Sequence, residues 1–116
     1  MSLEIELEQH RHALIARLKG ELDHHTAEFV RSRLEEAISR SEGQHVILSL
    51  KELTFMDSSG LGVILGRYKQ ITAMGGKMLV CHVNPHMYRL FEMSGLFKIV
   101  AIEPDEQSAL SSLGVA

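Results

Sequence analysis

The sequence has no tryptophan and one cysteine, and aromatic residues fill only 5% of its 116 positions. A single cysteine excludes an internal disulfide. Cys81 stands in the apolar run Met78-Leu79-Val80-Cys81, where a free thiol reads as a small buried hydrophobe. A lone thiol also fits a reducing cytosol. Positive charge is not in excess: the formal charge is −3, and no basic block or aromatic-and-arginine stripe suggests nucleic acid as a partner. No apolar run approaches the ~20 residues of a membrane span. The opening MSLEIELEQH carries acidic residues where a signal peptide has a basic start and an apolar core. The expected setting is the cytoplasm, with no membrane partner. What is present is 45% apolar residues in a chain long enough for one compact domain over 1–116 and too short for two.

Leu3 to Leu7 alternates apolar and polar residues as a half-buried strand does. Ala13 to Leu18 reads as a second strand, joined by a turn over Gln9 to His12, and Gly20 breaks its pattern. Asp23 is placed to cap a helix running to about Arg40, with Ala27, Val30, Leu34, Ala37 and Ile38 at helical spacing and Gly43 at its far end. Val46 to Leu50 is almost wholly apolar, which suits a central strand buried on both faces. After a short connection, Phe55 and Met56 return to the core. A helix over Ser58 to Ala73 follows, its face made by Leu61, Ile64, Leu65, Tyr68 and Ile71, and Gly75-Gly76 ends it. Met78 to His82 is another buried strand. Asn84-Pro85 starts a helix with Met87, Leu90 and Phe91 inward and Gly95 as its left-handed cap. Ile99 to Ile102 is the last strand, and Asp105 caps a final helix through Ala109, Leu110 and Leu113. The order β-β-α-β-α-β-α-β-α predicts an α/β domain. Its sheet is mixed and mostly parallel, with about five strands flanked by about four helices and an antiparallel hairpin at one edge.

The chemistry concentrates in Phe55-Met-Asp-Ser-Ser-Gly-Leu-Gly-Val-Ile-Leu-Gly66. A hydrolase elbow needs glycine two residues before and after its serine; Met56 and Asp57 occupy the earlier positions for Ser58 and Ser59. None of His10, His12, His24, His25, His45, His82 and His86 completes a triad pattern. Gly60-x-Gly62-x-x-x-Gly66 is one residue too long for a dinucleotide fingerprint and lies inside the helix. Asp57 at a strand end resembles a receiver's phosphorylated aspartate, but the acidic pair and the lysine of that site are missing. Ser58, at a helix start where bare amides and the dipole favour negative charge, is a candidate phosphoacceptor. The competing reading is that Asp57 or Ser58 only caps the helix. The adjacent pair His24-His25 points in directions about 100° apart and makes a poor chelate; no metal or other cofactor is expected.

The stretch from Phe55 to Lys69 resembles the signature of the STAS domain family, the anti-sigma factor antagonists, and within it the sporulation branch directed at sigma factor F. Three more stretches are similar: Gly20 to Glu28, Arg89 to Ile99, and the ending Leu113 to Ala116. The resemblance implies a non-enzymatic domain with the phosphorylated serine at Ser58. Its partners would be an anti-sigma factor that is also an ATP- or ADP-bound serine kinase, and a serine phosphatase; the free chain would be a monomer. Unphosphorylated protein would bind the anti-sigma factor and free the sigma factor, and phosphorylation of Ser58 would end that contact. Docking roles then fall to Asp23, Asp57, Ser58, Ser59, Gly60, Gly62 and Arg67. Asp57 caps or shapes the acceptor loop, while Ser59, Gly60 and Gly62 keep the approach open. Asp23, on the same sheet edge, contacts a basic partner residue or acts as a cap. Arg67 reaches a partner carboxylate or is a solvated surface residue. The alternative is a STAS-like module that binds a nucleotide or other small ligand.

Overall fold

A computed structural model describes residues 2–41 and 44–114. The elements are β1 (Leu3–His10), β2 (Ala13–Leu22), α1 (Ala27–Ser39), β3 (His45–Met56), α2 (Ser58–Ala73), β4 (Met78–Cys81), α3 (Pro85–Ser94), a single 3-10 turn over Leu96–Lys98, β5 (Ala101–Glu103) and α4 (Glu106–Ser112). They form one five-stranded sheet in the order β1-β2-β3-β4-β5. β1 runs antiparallel to β2, and the remaining pairs are parallel. The expected element order and mixed sheet are therefore present. Gly43, expected at the far end of the first helix, lies outside the described residues, as do Val115 and Ala116.

Alternation along the central strands sorts the core into two layers. Leu14, Ala16, Leu18, Val46, Leu48 and Leu50 pack with α1, α2 and α3, through Val30, Leu34, Ile38, Ile64, Ile71, Met87 and Phe91. Each of these Val, Leu, Ile, Met and Phe side chains taken fully out of water contributes about 1.5–3 kcal/mol. Ala13, Ile15, Ile47, Leu79 and Cys81 face the other way, under Ala109 and Leu110 of α4. Cys81 is fully buried there, and burial pushes its thiol up to about 11, which leaves it protonated at neutral pH. β1 is an open edge. Glu4, Glu6 and Glu8 are exposed on it, while Leu3 and Ile5 rest against the larger layer.

Several boundaries differ from the sequence reading. β2 does not stop at Gly20: it continues to Leu22 through irregular register, with Gly20 at φ 117° and its Cα so close to the Ser2 carbonyl that a Cβ would stand 2.2 Å from that oxygen. β3 runs twelve residues, to Met56, with no intervening connection. Its second half pairs with Lys19 to Leu22 of β2, so the polar residues Lys51, Glu52 and Thr54 stand outward on a strand. Met56 is buried as expected, but Phe55 is 42% exposed. Ile99 also lies outside the last strand and is 45% exposed. Asn84 Oδ1 caps α3 through the Met87 amide (2.9 Å), Gly95 closes it at φ 77°, and Asp105 Oδ1 caps α4 through the Ser108 amide (2.8 Å), all where the sequence places them.

Candidate functional site

β2 and β3 end side by side, with Leu22 and Met56 as register partners, so Asp23 and Asp57 leave the sheet from the same edge. The Asp57 amide donates to the Leu22 carbonyl at 3.3 Å and ties the two exits together. Asp57 is the only residue between β3 and α2. It takes an extended conformation, and its Oδ1 accepts from the Ser59 amide at 2.8 Å. Its carbonyl accepts from the Gly60 amide at 3.0 Å. The cap therefore takes the Ser59 and Gly60 amides at the start of a 16-residue helix and leaves the first helical residue, Ser58, exposed at the positive end of the dipole. Ser59 is half-buried behind it.

Asp23 does the same task by a longer route. Its Oδ1 accepts from the amides of His25 (2.8 Å) and Thr26 (3.1 Å), closing a turn before α1 begins at Ala27. It caps that turn and is not the immediate N-cap of the helix. Asp23 is only 2% exposed, and its other oxygen, Oδ2, has no hydrogen-bond partner. Burial pushes the carboxyl up, but the hydrogen bonds from His25 and Thr26 outweigh it and hold the group below the usual aspartate range. His24 and His25 are exposed beside it, with ring centroids 3.9 Å apart.

Three of the expected docking residues are internal: Asp23, Gly60 and Arg67. Arg67 is 7% exposed, lying between α2 and α1. Its Nη1 donates to the Arg31 carbonyl at 3.4 Å, and its Nη2 is 3.7 Å from Glu35. It is neither a solvated surface residue nor placed to meet a partner's carboxylate. The signal was available: Gly60, Val63, Ile64, Arg67 and Ile71 form the deeply buried stripe of α2, one position round from the expected face. Gly60 is likewise buried. A Cβ on it would stand 2.5 Å from Met56 Cγ and 3.0 Å from Leu22 Cγ, so its role is close packing and not an open approach. Gly62 and Gly66 have nothing within 4 Å of a virtual Cβ and do leave the helix bare. From Gly62 an apolar groove continues between α2 and the 3-10 turn, lined by Leu61, Leu65, Leu96 and Ile99. Met93, 81% exposed, stands out on the neighbouring helix α3. The sequence reading did not single out this groove, because its second wall is a 3-10 turn that has no periodicity to read.

With an exposed serine opening an aspartate-capped helix at the edge of this sheet, comparisons with known proteins assign the family. The family model described as the STAS domain matches residues 4–109. The chain belongs to the STAS domain family. This STAS domain is 60% identical over 115 residues to the anti-sigma F factor antagonist of Paenibacillus polymyxa, covering 99% of this chain and 98% of that protein. It is also similar to the solved structure of the anti-sigma factor antagonist SpoIIAA in its unphosphorylated form, with a TM-score of 0.74 and 29% identity over 99% of this chain and 100% of that one. The structure of the Bacillus cell fate determinant SpoIIAA in the phosphorylated form matches with a TM-score of 0.74 and 33% identity, covering 95% of this chain and 99% of that one. Among the described residues, no three His, Cys, Asp or Glu side chains gather as a metal site, and no helix is long and apolar enough to cross a membrane.

Proposed function

We propose that this STAS domain is an anti-sigma factor antagonist that acts by partner switching in the cytoplasm, with Ser58 as its phosphoacceptor and no catalysis of its own. What carries the reading is the exposed Ser58 side chain at the first position of α2, in a chain so similar to an anti-sigma F factor antagonist. Unphosphorylated, the domain docks as a monomer on an anti-sigma factor that is also a serine kinase, and sporulation sigma factor F is released. Docking brings Ser58 Oγ to the γ-phosphorus of the partner's ATP. The oxygen bonds to that phosphorus, ADP departs, and the hydroxyl proton passes to a base or to solvent. A separate serine phosphatase reverses the change.

The docking surface is acidic at its centre. Glu21, Asp23 and Asp57 crowd the strand ends, so a basic surface of the kinase suits this edge through their charge, while the buried Asp23 carboxylate serves mainly to shape the turn. Ser59 and Gly62 border the hydroxyl, and the groove beyond Gly62 extends the contact. A phosphate adds about −1.5 to −2 charges at this already negative edge. The loss of ~2.7 kcal/mol would weaken binding about a hundredfold. Asp57 already takes the Ser59 and Gly60 amides, which leaves few first-turn donors to draw the phosphate inward, so it stays in solvent and the fold is kept.

Intact mass after incubation with the anti-sigma kinase of the same organism and ATP tests this reading. A gain of one phosphoryl group in the wild type and none in Ser58→Ala supports it. No gain in either returns Ser58 to a helix-starting role. A second reading, a module responsive to a small ligand, draws on the polar basin on the α4 side of the sheet, where Arg17, Ser49, Lys51 and His82 converge and His82 adopts φ 58°. Partner binding that depends on an added small ligand would favour it.

A further inference from the structure

We infer that Gly60 is a positioning residue for phosphoryl transfer to Ser58: its missing side chain lets the first turn of α2 sit directly on the ends of β2 and β3 and so sets where the Ser58 hydroxyl stands. The inference rests on the reading of Ser58 as phosphoacceptor. A single residue, Asp57, joins β3 to α2, so the helix must reverse over the strand it has just left. The two side chains beneath the reversal are Met56 and Leu22, the last residues of their strands, 1% and 0% exposed. Neither can swing into solvent. A Cβ at position 60 would meet Met56 Cγ at 2.5 Å and Leu22 Cγ and Cδ2 at 3.0 and 3.1 Å. Ordinary contact begins near 3.4 Å, so the turn would have to rise by several tenths of an ångström or more. Ser58 lies two residues before Gly60 in the same turn and would move with it. Asp23, held by the Leu22 end of β2 and by its own turn, would stay. The hydroxyl would then shift against the rest of the docking surface while the surface itself remained.

In-line transfer is sensitive to such a shift, since about 1 Å of misplacement can cost roughly a hundredfold in rate. The test measures Ser58 phosphorylation by the anti-sigma kinase of the same organism with ATP, together with thermal melting, for wild type, Gly60→Ala, Met56→Ala and the double variant. Gly60→Ala is expected to melt cooperatively, to lose about 10–100-fold in kcat, and to keep KM within about threefold. The double variant, in which the opposing Cγ is gone, is expected to recover to within about threefold of Met56→Ala. A merely structural role would lower melting temperature without this kcat-against-KM split. Gly60→Ala with wild-type kcat, a loss confined to KM, or a loss that Met56→Ala does not relieve overturns the inference. If Gly60→Ala does not melt cooperatively, Met56→Ala with Gly60→Val carries the test, because the larger side chain meets Leu22 again. That variant should fall at least tenfold below Met56→Ala in kcat with KM kept, and a folded variant at the Met56→Ala rate overturns the inference. Wild type that takes up no phosphoryl group overturns both this inference and the reading beneath it; phosphorylated wild type with an unaffected Gly60→Ala overturns this inference alone.

Discussion

Arg17 and Arg67 are both drawn away from water, one on the α4 side of the sheet and one on the α1–α2 side. Arg17 has three carboxylates around it. Its Nε and Nη2 form a fork on Glu106 at 2.8 and 2.9 Å, its Nη1 meets Glu6 at 2.8 Å, and Nη2 also meets Glu8 at 2.9 Å. The Glu106 bond, ahead of the burial that opposes it, raises the Arg17 pKa. Arg67 is more deeply buried, with a side chain 8% exposed against 22%, yet its two contacts are long and its Nε has no partner. Burial, only partly offset by Glu35, lowers its pKa. Burial depth is thus a poor guide to what a charge contributes; the completeness of its partners decides. On the α4 side, the arginine fastens β1, β2 and a short helix into one unit. On the α1–α2 side, apolar contact and the Gln70 amide bonds to the Glu35 carbonyl and the Ser39 hydroxyl join the helices, and the arginine makes only long contacts.

Four measurements bear on that contrast. Arg17→Met should have the largest effect, since it leaves Glu8 and Glu106 without their cation while Glu6 keeps only Lys19 at 2.9 Å; urea unfolding should show a loss of about 2 kcal/mol. A loss below ~0.5 kcal/mol would break the contrast. Acidification comes next. The hydrogen bond from Arg17 holds Glu106 below its ordinary value of 4.5. A depressed folded pKa means stabilisation that is complete above that ordinary value and is lost as pH falls through the folded one. Wild type should therefore lose measurably more stability than Arg17→Met as pH drops below that ordinary value, read by urea unfolding at each pH. Gly62→Ala touches neither arginine and adds helix propensity at a bare position of α2; a gain of about 0.5–1 kcal/mol in the same unfolding experiment would show that α2 is limited by its backbone. Arg67→Met should be the mildest, within about 0.5 kcal/mol of wild type in either direction. A loss as large as that of Arg17→Met would mean that Arg67 is the better-held cation.

The element order, the caps at Asn84 and Asp105 and the exposed Ser58 were legible because each rests on local chemistry: a capping side chain, a glycine or proline at a fixed offset, a change of period. Where the structure departs from that reading, the determinants are distant. β3 read as ending at Leu50 because the polar residues after it broke the apolar run, yet Lys51 to Met56 is held as strand by β2 across an irregular register. Ile99 looked like strand because it is β-branched, but the 3-10 turn after Gly95 carries it outside the sheet. Arg67 looked like surface because arginine usually is; only its place on the buried stripe of α2, between Ile64 and Ile71, marks it otherwise. The buried Oδ2 of Asp23 could not be read at all, since no local pattern says which oxygen of a capping carboxylate is left over.

The free edge of β1 has a consequence for crowded solutions. A strand that pairs with β2 on one side and ends the sheet on the other invites a second copy to zip against it. Here Glu4, Glu6 and Glu8 recur at every other position, so an approaching β1 from another molecule would bring rows of like charge together. Glu6 and Glu8 are partly neutralised by Arg17, but Glu4 is not among its contacts. The same glutamates that fasten α4 through Arg17 therefore also work against edge-to-edge association of two β1 strands.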